Sequence, residues 1–228
     1  MDLTQNRPII ISCGIGGHYP AGVSRLERSL MFNGWAGDIM MLKDEYPEGC
    51  PSIKDNNYAF KPYLFQQVFR MGYKIALWLD SSFWATKNPM PVLDYINDNG
   101  LYFFKSGYPI SATATDKLLR YYNEERENLI DVPEFATGAV GINISNPKGK
   151  DFFDKWIDDC NNGMFIGNRV HDENDSKHPL FKFCRQDQSS ASMILHKMGI
   201  THIEAPEWIS YYGTGFNEND LIFFIGGI

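Results

Sequence analysis

The first apolar run, Pro8-Ile9-Ile10-Ile11-Ser12, is β-branched and breaks into Cys13-Gly14-Ile15-Gly16-Gly17-His18. This is the pattern of a buried strand entering a glycine loop. A helix is predicted next: Pro20 can occupy its first turn, Val23, Leu26 and Leu30 recur at helical spacing, and Gly34 sits where a C-terminal cap belongs. Asp38–Leu42 then reads as a second strand. From Tyr58 to Gly72 the logic returns, with Pro62 near a helix start, Leu64/Val68 and Phe65/Phe69 as i,i+4 pairs, and Gly72 as the stop. Tyr73–Leu79 is apolar at nearly every position after Lys74, as a central strand covered on both faces must be, and it ends on Asp80. This alternation of strand and helix predicts an α/β fold with a mostly parallel, mixed central sheet flanked by helices.

The second half is less regular. A short helix is expected near Pro91–Ile96, a strand at Leu101–Lys105, a helix near Thr115–Glu125 and a strand at Ala139–Ile144. An amphipathic helix over Asp151–Cys160 carries Phe152, Phe153, Trp156 and Ile157. The polar stretch Asn161–His178 reads as a long loop with the composition of a mobile lid. A last helix spans Gln188–Met198 with Gly199 as cap, followed by a strand at Ile200–Glu204 and a terminal apolar run, Leu221–Ile225.

Composition narrows the class. At 228 residues, 43% hydrophobic and 14% aromatic, the chain can bury one sizeable core. The net charge of −7 and the lack of any Lys/Arg run argue against a nucleic-acid or anionic-membrane partner. Cys13, Cys50, Cys160 and Cys184 show neither zinc-site spacing nor a disulfide framework, so a reducing compartment is the simpler reading. The opening Met1-Asp2-Leu3-Thr4-Gln5-Asn6 is polar and no stretch approaches the ~18 apolar residues of a membrane span, so the expectation is cytoplasmic, with no transmembrane segment.

Ligands of open α/β sheets collect beyond the C-terminal strand ends. Two motifs fall there. The Gly14-Ile15-Gly16-Gly17 loop can bring backbone N–H groups to a phosphate, or serve only as a tight turn; Tyr19 stands where the dinucleotide fingerprint needs its third glycine. Trp78-Leu79-Asp80-Ser81-Ser82 delivers a carboxylate and hydroxyls that can hold a divalent cation against a diphosphate, unless Asp80 merely caps the next turn. Lys61, at the head of the preceding helix, could supply a phosphate-neutralising ammonium or simply be solvated.

The Ala59-Phe60-Lys61-Pro62-Tyr63-Leu64 helix, the strand ending Leu79-Asp80-Ser81-Ser82, and Trp84 with Lys87-Asn88-Pro89 together resemble the arrangement of GT-A-fold glycosyltransferases. The likeness is greatest to phage and bacterial members with a Trp-Leu-Asp-Ser-Ser motif. Thr137-Gly138-Ala139-Val140-Gly141-Ile142-Asn143 is similar to the middle strand of that family, and Arg185-Gln186-Asp187-Gln188-Ser189-Ser190-Ala191-Ser192 to its "DQ" helix start. The resemblance implies one GT-A-like domain over 1–228, with a donor-nucleotide half at 1–105 and an acceptor-side half at 106–228. It implies a nucleotide-diphosphate sugar donor, a glycan or other hydroxyl acceptor, and donor contacts from Gly14, Ile15, Gly16, Lys61, Asp80, Ser81 and Ser82. Asp187 and Gln188 become the catalytic candidates at the acceptor side, although Asp187 can equally be a helix N-cap.

One departure bears on the metal. The family's second aspartate is here Ser82, a much weaker ligand for Mn²⁺ or Mg²⁺ than a carboxylate. The cation is then held by Asp80 and Ser82 with a further group such as His202 or His196, or transfer proceeds without it, or activity is lost. Asp116 is a carboxylate at a helix start, and Trp84 and Trp208 are aromatics able to stack on a sugar or base, though capping and core packing explain these three as well. His171 and His178 lack the partner spacing of a zinc site. The leading expectation is a glycosyltransferase; the rival is a sugar- or nucleotide-binding module that keeps the fold without turnover.

Overall fold

The computed structural model describes residues 7–211 and 220–226; Met1–Asn6 lie outside them. The chain begins with β1 (Ile9–Gly14), α1 (Tyr19–Phe32), β2 (Asp38–Lys43), α2 (Phe60–Arg70) and β3 (Ile75–Leu79). It continues through β4 (Phe83–Ala85), α3 (Met90–Asn99), β5 (Leu101–Pro109), α4 (Asp116–Tyr121), β6 (Pro133–Asn143), α5 (Pro147–Asn161) and α6 (Asp187–Lys197). It closes with β7 (Ile209–Tyr211) and β8 (Phe223–Ile225).

The main sheet has the order β2-β1-β3-β6-β5. Strands β1, β2 and β3 are mutually parallel, whereas β6 runs antiparallel to both β3 and β5, so it alone opposes the other four. β3 occupies the middle position with all five residues buried, as its unbroken apolar sequence requires. Its alternation sorts the two faces. Ala76 and Trp78 enter a core shared with α2, α5 and α6. Ile75, Leu77 and Leu79 enter the opposite core, with α1, α3 and the inner side of a small second sheet, β4-β8-β7. Each fully buried large side chain, Trp78 and Trp156 among them, contributes roughly 1.5–3 kcal/mol. With a period of two, Asp80 follows Trp78 onto the α2/α6 face, and this parity aims its carboxylate at the site described below.

The strand expected at Ile200–Glu204 does not form; the segment is irregular and the strand lies at β7. Ile200 and Ile203 both pack against the same core, and residues three apart cannot share one face of a strand. β6 begins well before Ala139 because Pro133 opens it at a position that needs no ladder donor and Gly107 (φ +87°) lets β5 bulge to follow it. α4 is shorter than the apolar spacing suggests: Asn123 takes φ +48° and the chain passes into a 3₁₀ turn at Arg126–Leu129. α5 starts a turn earlier than expected, with the Asn146 side chain accepting from the Lys148 N–H and Pro147 in the first turn.

Residues 162–186 contain neither helix nor strand. They are nonetheless anchored, since Met164 and Phe165 are buried and Asp175 accepts from the Asn168 N–H at 2.6 Å. Among the described residues, no helix is long and apolar enough to cross a membrane.

Candidate active site

Three elements deliver charge to one point beyond the β3 terminus. Asp80 follows β3, Lys61 lies in the first turn of α2, and Asp187 is the first residue of α6. The Lys61 Nζ stands 3.2 Å from Asp80 Oδ1 and 3.0 Å from Asp187 Oδ2, with only 3% of its side chain exposed. It also donates to the Thr137 carbonyl at 3.0 Å. The Thr137 hydroxyl donates to Asp187 Oδ2 at 2.6 Å, and the Trp78 indole N–H donates to Asp80 Oδ1 at 2.8 Å. Burial alone pushes the Lys61 ammonium down, but Asp187 and Asp80 outweigh it and hold the group above the ordinary lysine value. The Asp80 carboxyl is held above its usual range by burial, against the opposing pull of Lys61 and Trp78. Because 36% of that side chain opens to the cleft, water moderates this rise.

A supporting layer fixes the cluster. Gln188 accepts from the Thr137 N–H at 3.3 Å and donates to Glu134 Oε2 at 2.6 Å; Glu134 also accepts from Ser106 at 2.7 Å. The Asp80 N–H donates to the Gly138 carbonyl at 2.8 Å, tying the end of β3 to β6. Immediately before Asp187, Gln186 adopts φ +44° and ψ −108°, a strained backbone state held by its amide donating to the Gly167 carbonyl at 2.8 Å.

The charged cluster borders a cleft of about 340 Å³. Of the donor candidates, Ile15, Lys61, Asp80, Ser81 and Ser82 border it, as do Asp187 and Gln188. Gly14 and Gly16 do not, and each has a local reason to be glycine. A Cβ at Gly14 would lie 2.5 Å from the Tyr19 carbonyl oxygen, so the strand end and α1 could not meet; Gly16 has φ +71° and donates to Asp44 at 2.8 Å. The remaining cleft wall includes Tyr19, Tyr58, Phe60, Thr137, Arg169 and Arg185.

The other candidates lie elsewhere. His202 is exposed and His196 faces Glu124 at 3.7 Å; neither borders the cleft. Asp116 sits one residue after the true N-cap, Thr115, and pairs with Arg126 at 2.8 Å. Trp208 packs on Tyr95 and Tyr102, and Trp84 lies against Phe224 with Arg25 over its ring. Among the described residues, no three His, Cys, Asp or Glu side chains are grouped to hold a metal ion. Asp80 Oδ1 is already engaged by an indole N–H and an ammonium, and Asp187 Oδ2 by an ammonium and a hydroxyl. These contacts leave Asp80 Oδ2 and Asp187 Oδ1 as the carboxylate oxygens facing the cleft, and the Lys61 ammonium behind them weakens the pull of the pair on a divalent cation.

Among the solved structures that share the architecture are two glycosyltransferases. One is the apo structure of the bifunctional glycosyltransferase WbbM, with TM-score 0.57 and 12% identity over 99% of this chain and 46% of that chain. The other is apo mouse xyloside xylosyltransferase 1, with TM-score 0.55 and 9% identity over 97% of each chain. The chain thus spans less than half the length of WbbM. No family model and no curated protein sequence matches it. At these identities the likeness establishes the fold: a GT-A-like α/β architecture found in glycosyltransferases.

Proposed function

We propose that the chain is a glycosyltransferase that takes a sugar from a nucleotide-diphosphate donor and passes it to a hydroxyl of a glycan acceptor. The observation that carries this reading is the convergence of Asp80, Lys61 and Asp187 in an open cleft at the C-terminal end of β3. In this reading the nucleotide lies along the wall of Ile15, Tyr19, Tyr58 and Phe60, apolar and aromatic groups suited to a base. Asp187 faces the acceptor. Its Oδ2 is held by Lys61 and Thr137, while its Oδ1 makes no hydrogen bond among the described residues and is open to a proton.

A binding module without turnover is the second reading. It is favoured by the burial of Asp187, one of whose carboxylate oxygens is already held by an ammonium and a hydroxyl of the protein. One experiment separates the two: incubation with a panel of nucleotide sugars, with release of nucleoside diphosphate as the readout. Release from one donor, accelerated by an oligosaccharide acceptor, supports the transferase. Binding of a donor with no release under any acceptor supports the module.

A further inference from the structure

We propose that Arg169 and Arg185 neutralise the diphosphate of the donor in this chain, in the place of a divalent cation. The inference rests on the reading of the cleft as a nucleotide-sugar site.

The charges around the cleft carry the argument. Its cations are Lys61, Arg169 and Arg185, and its anions are Asp80 and Asp187. Lys61 is spent inside the protein, buried and within 3.2 Å of both carboxylates. Arg169 and Arg185 are not. Neither has a carboxylate within salt-bridge distance among the described residues. Arg169 spends one N–H on the Tyr58 hydroxyl at 3.0 Å, and the Arg185 guanidinium lies 5.1 Å from the centre of the Phe183 ring, an arrangement that orients the group without neutralising it. Arg185 also feels the buried Glu134 carboxylate, but from beyond salt-bridge distance, so two planar forks without a close carboxylate border the cleft and match phosphate oxygens bidentately.

The loss of the second aspartate agrees. Ser82 is a weak cation ligand, Asp80 Oδ1 is already engaged, and the buried Lys61 ammonium beneath it offsets much of the negative charge a dication would need. The chemistry needs the charge met by some group. As the bond from the anomeric carbon to the diphosphate oxygen breaks, its electron pair stays on that oxygen, where the arginines stabilise it. The acceptor oxygen bonds to the anomeric carbon, and its proton passes to Asp187.

The test is titration calorimetry with UDP, GDP, ADP, CDP and dTDP, each in EDTA and in excess Mn²⁺, on the wild type, Arg169→Gln and Arg185→Gln. The proposal expects a nucleoside diphosphate that binds in EDTA as tightly as in Mn²⁺, and a loss of roughly ten- to hundredfold in either variant. Circular dichroism melts confirm folding; if Arg185→Gln does not fold, Arg169→Gln, whose side chain is exposed, decides alone. Binding that requires Mn²⁺, or that neither folded variant weakens, overturns this proposal and leaves the glycosyltransferase reading intact. No binding of any nucleoside diphosphate in either buffer overturns both.

Discussion

Replacing Lys61 by methionine removes the ammonium beneath the cleft while keeping an unbranched apolar stem. The two carboxylates it serves are unequal. Asp187 is 4% exposed, so removal of its cation strands a buried charge, a change that costs about 3–5 kcal/mol. Asp80 is 36% exposed and screened by water, and its pair is worth roughly 1 kcal/mol or less. The lost bond to the Thr137 carbonyl adds about 1 kcal/mol, offset in part because methionine has no charge to desolvate. The expected loss is therefore about 3–5 kcal/mol at pH 7.5, a large share of the ~5–15 kcal/mol that holds a domain folded. Urea unfolding followed by tryptophan fluorescence measures it. The pH dependence has a definite sign. The folded-state pKa of Lys61 is raised, so its contribution is fully present below the ordinary lysine value and is lost only as pH rises through the folded one; between pH 5 and 8 it is constant. In the variant Asp80 loses the cation that pulls its carboxyl down, so its folded value rises further and acidification relieves part of the penalty. The gap between variant and wild type should narrow from pH 7.5 to pH 5. A gap below ~1 kcal/mol at pH 7.5 with an unchanged urea slope, or one that does not narrow, refutes the reasoning.

Three further outcomes follow from the same geometry. Asp187→Asn should lower transfer turnover by about 10²–10⁴ with a smaller effect on donor affinity, read from initial rates and calorimetry. The buried Asp159 carboxyl, which accepts from Ser190 at 2.6 Å and Tyr122 at 2.7 Å, is pushed up to about 6 by burial. Its raised folded pKa means the protein loses stability as pH rises through about 6, so Asp159→Asn should gain on the wild type between pH 5 and pH 8 in urea melts. In the loop, amides near the buried Met164 and Phe165 should exchange slowly with or without ligand, whereas those of the exposed Arg169–His171 should become protected only when a nucleoside diphosphate binds.

β3 was legible because a doubly covered strand must be apolar at every position, and its parity alone predicts which face Asp80 serves. Lys61 and Asp80 could be singled out from their place at the ends of predicted elements, and Asp187 from the resemblance of its Asp-Gln pair. Their mutual contact could not, because it joins α2, β3 and α6 through tertiary packing that no local spacing reports. That contact also bears on the expected cation site: the sequence shows an aspartate followed by hydroxyls, but not the ammonium already seated on one of its oxygens. Glu134 was hidden for a related reason, and Thr137 was placed in a strand only by the resemblance. The first half of β6, Pro133-Glu134-Phe135-Ala136-Thr137-Gly138, carries polar and helix-breaking residues that mask a strand, since its polar groups are satisfied by α6 rather than by water. Arg169 gave no sign at all, being one charge in a polar loop until Tyr58 and the cleft are in place.

The central claim is that the cleft between Asp80, Asp187 and the two arginines is where a nucleotide sugar sits. A crystal grown with the nucleoside diphosphate that binds most tightly in EDTA tests it most directly. The account predicts the base against Tyr19, Tyr58 or Phe60 and phosphate oxygens within hydrogen-bond distance of Arg169 and Arg185. Nucleotide density at any other place on the protein, with this cleft filled only by water, would contradict it.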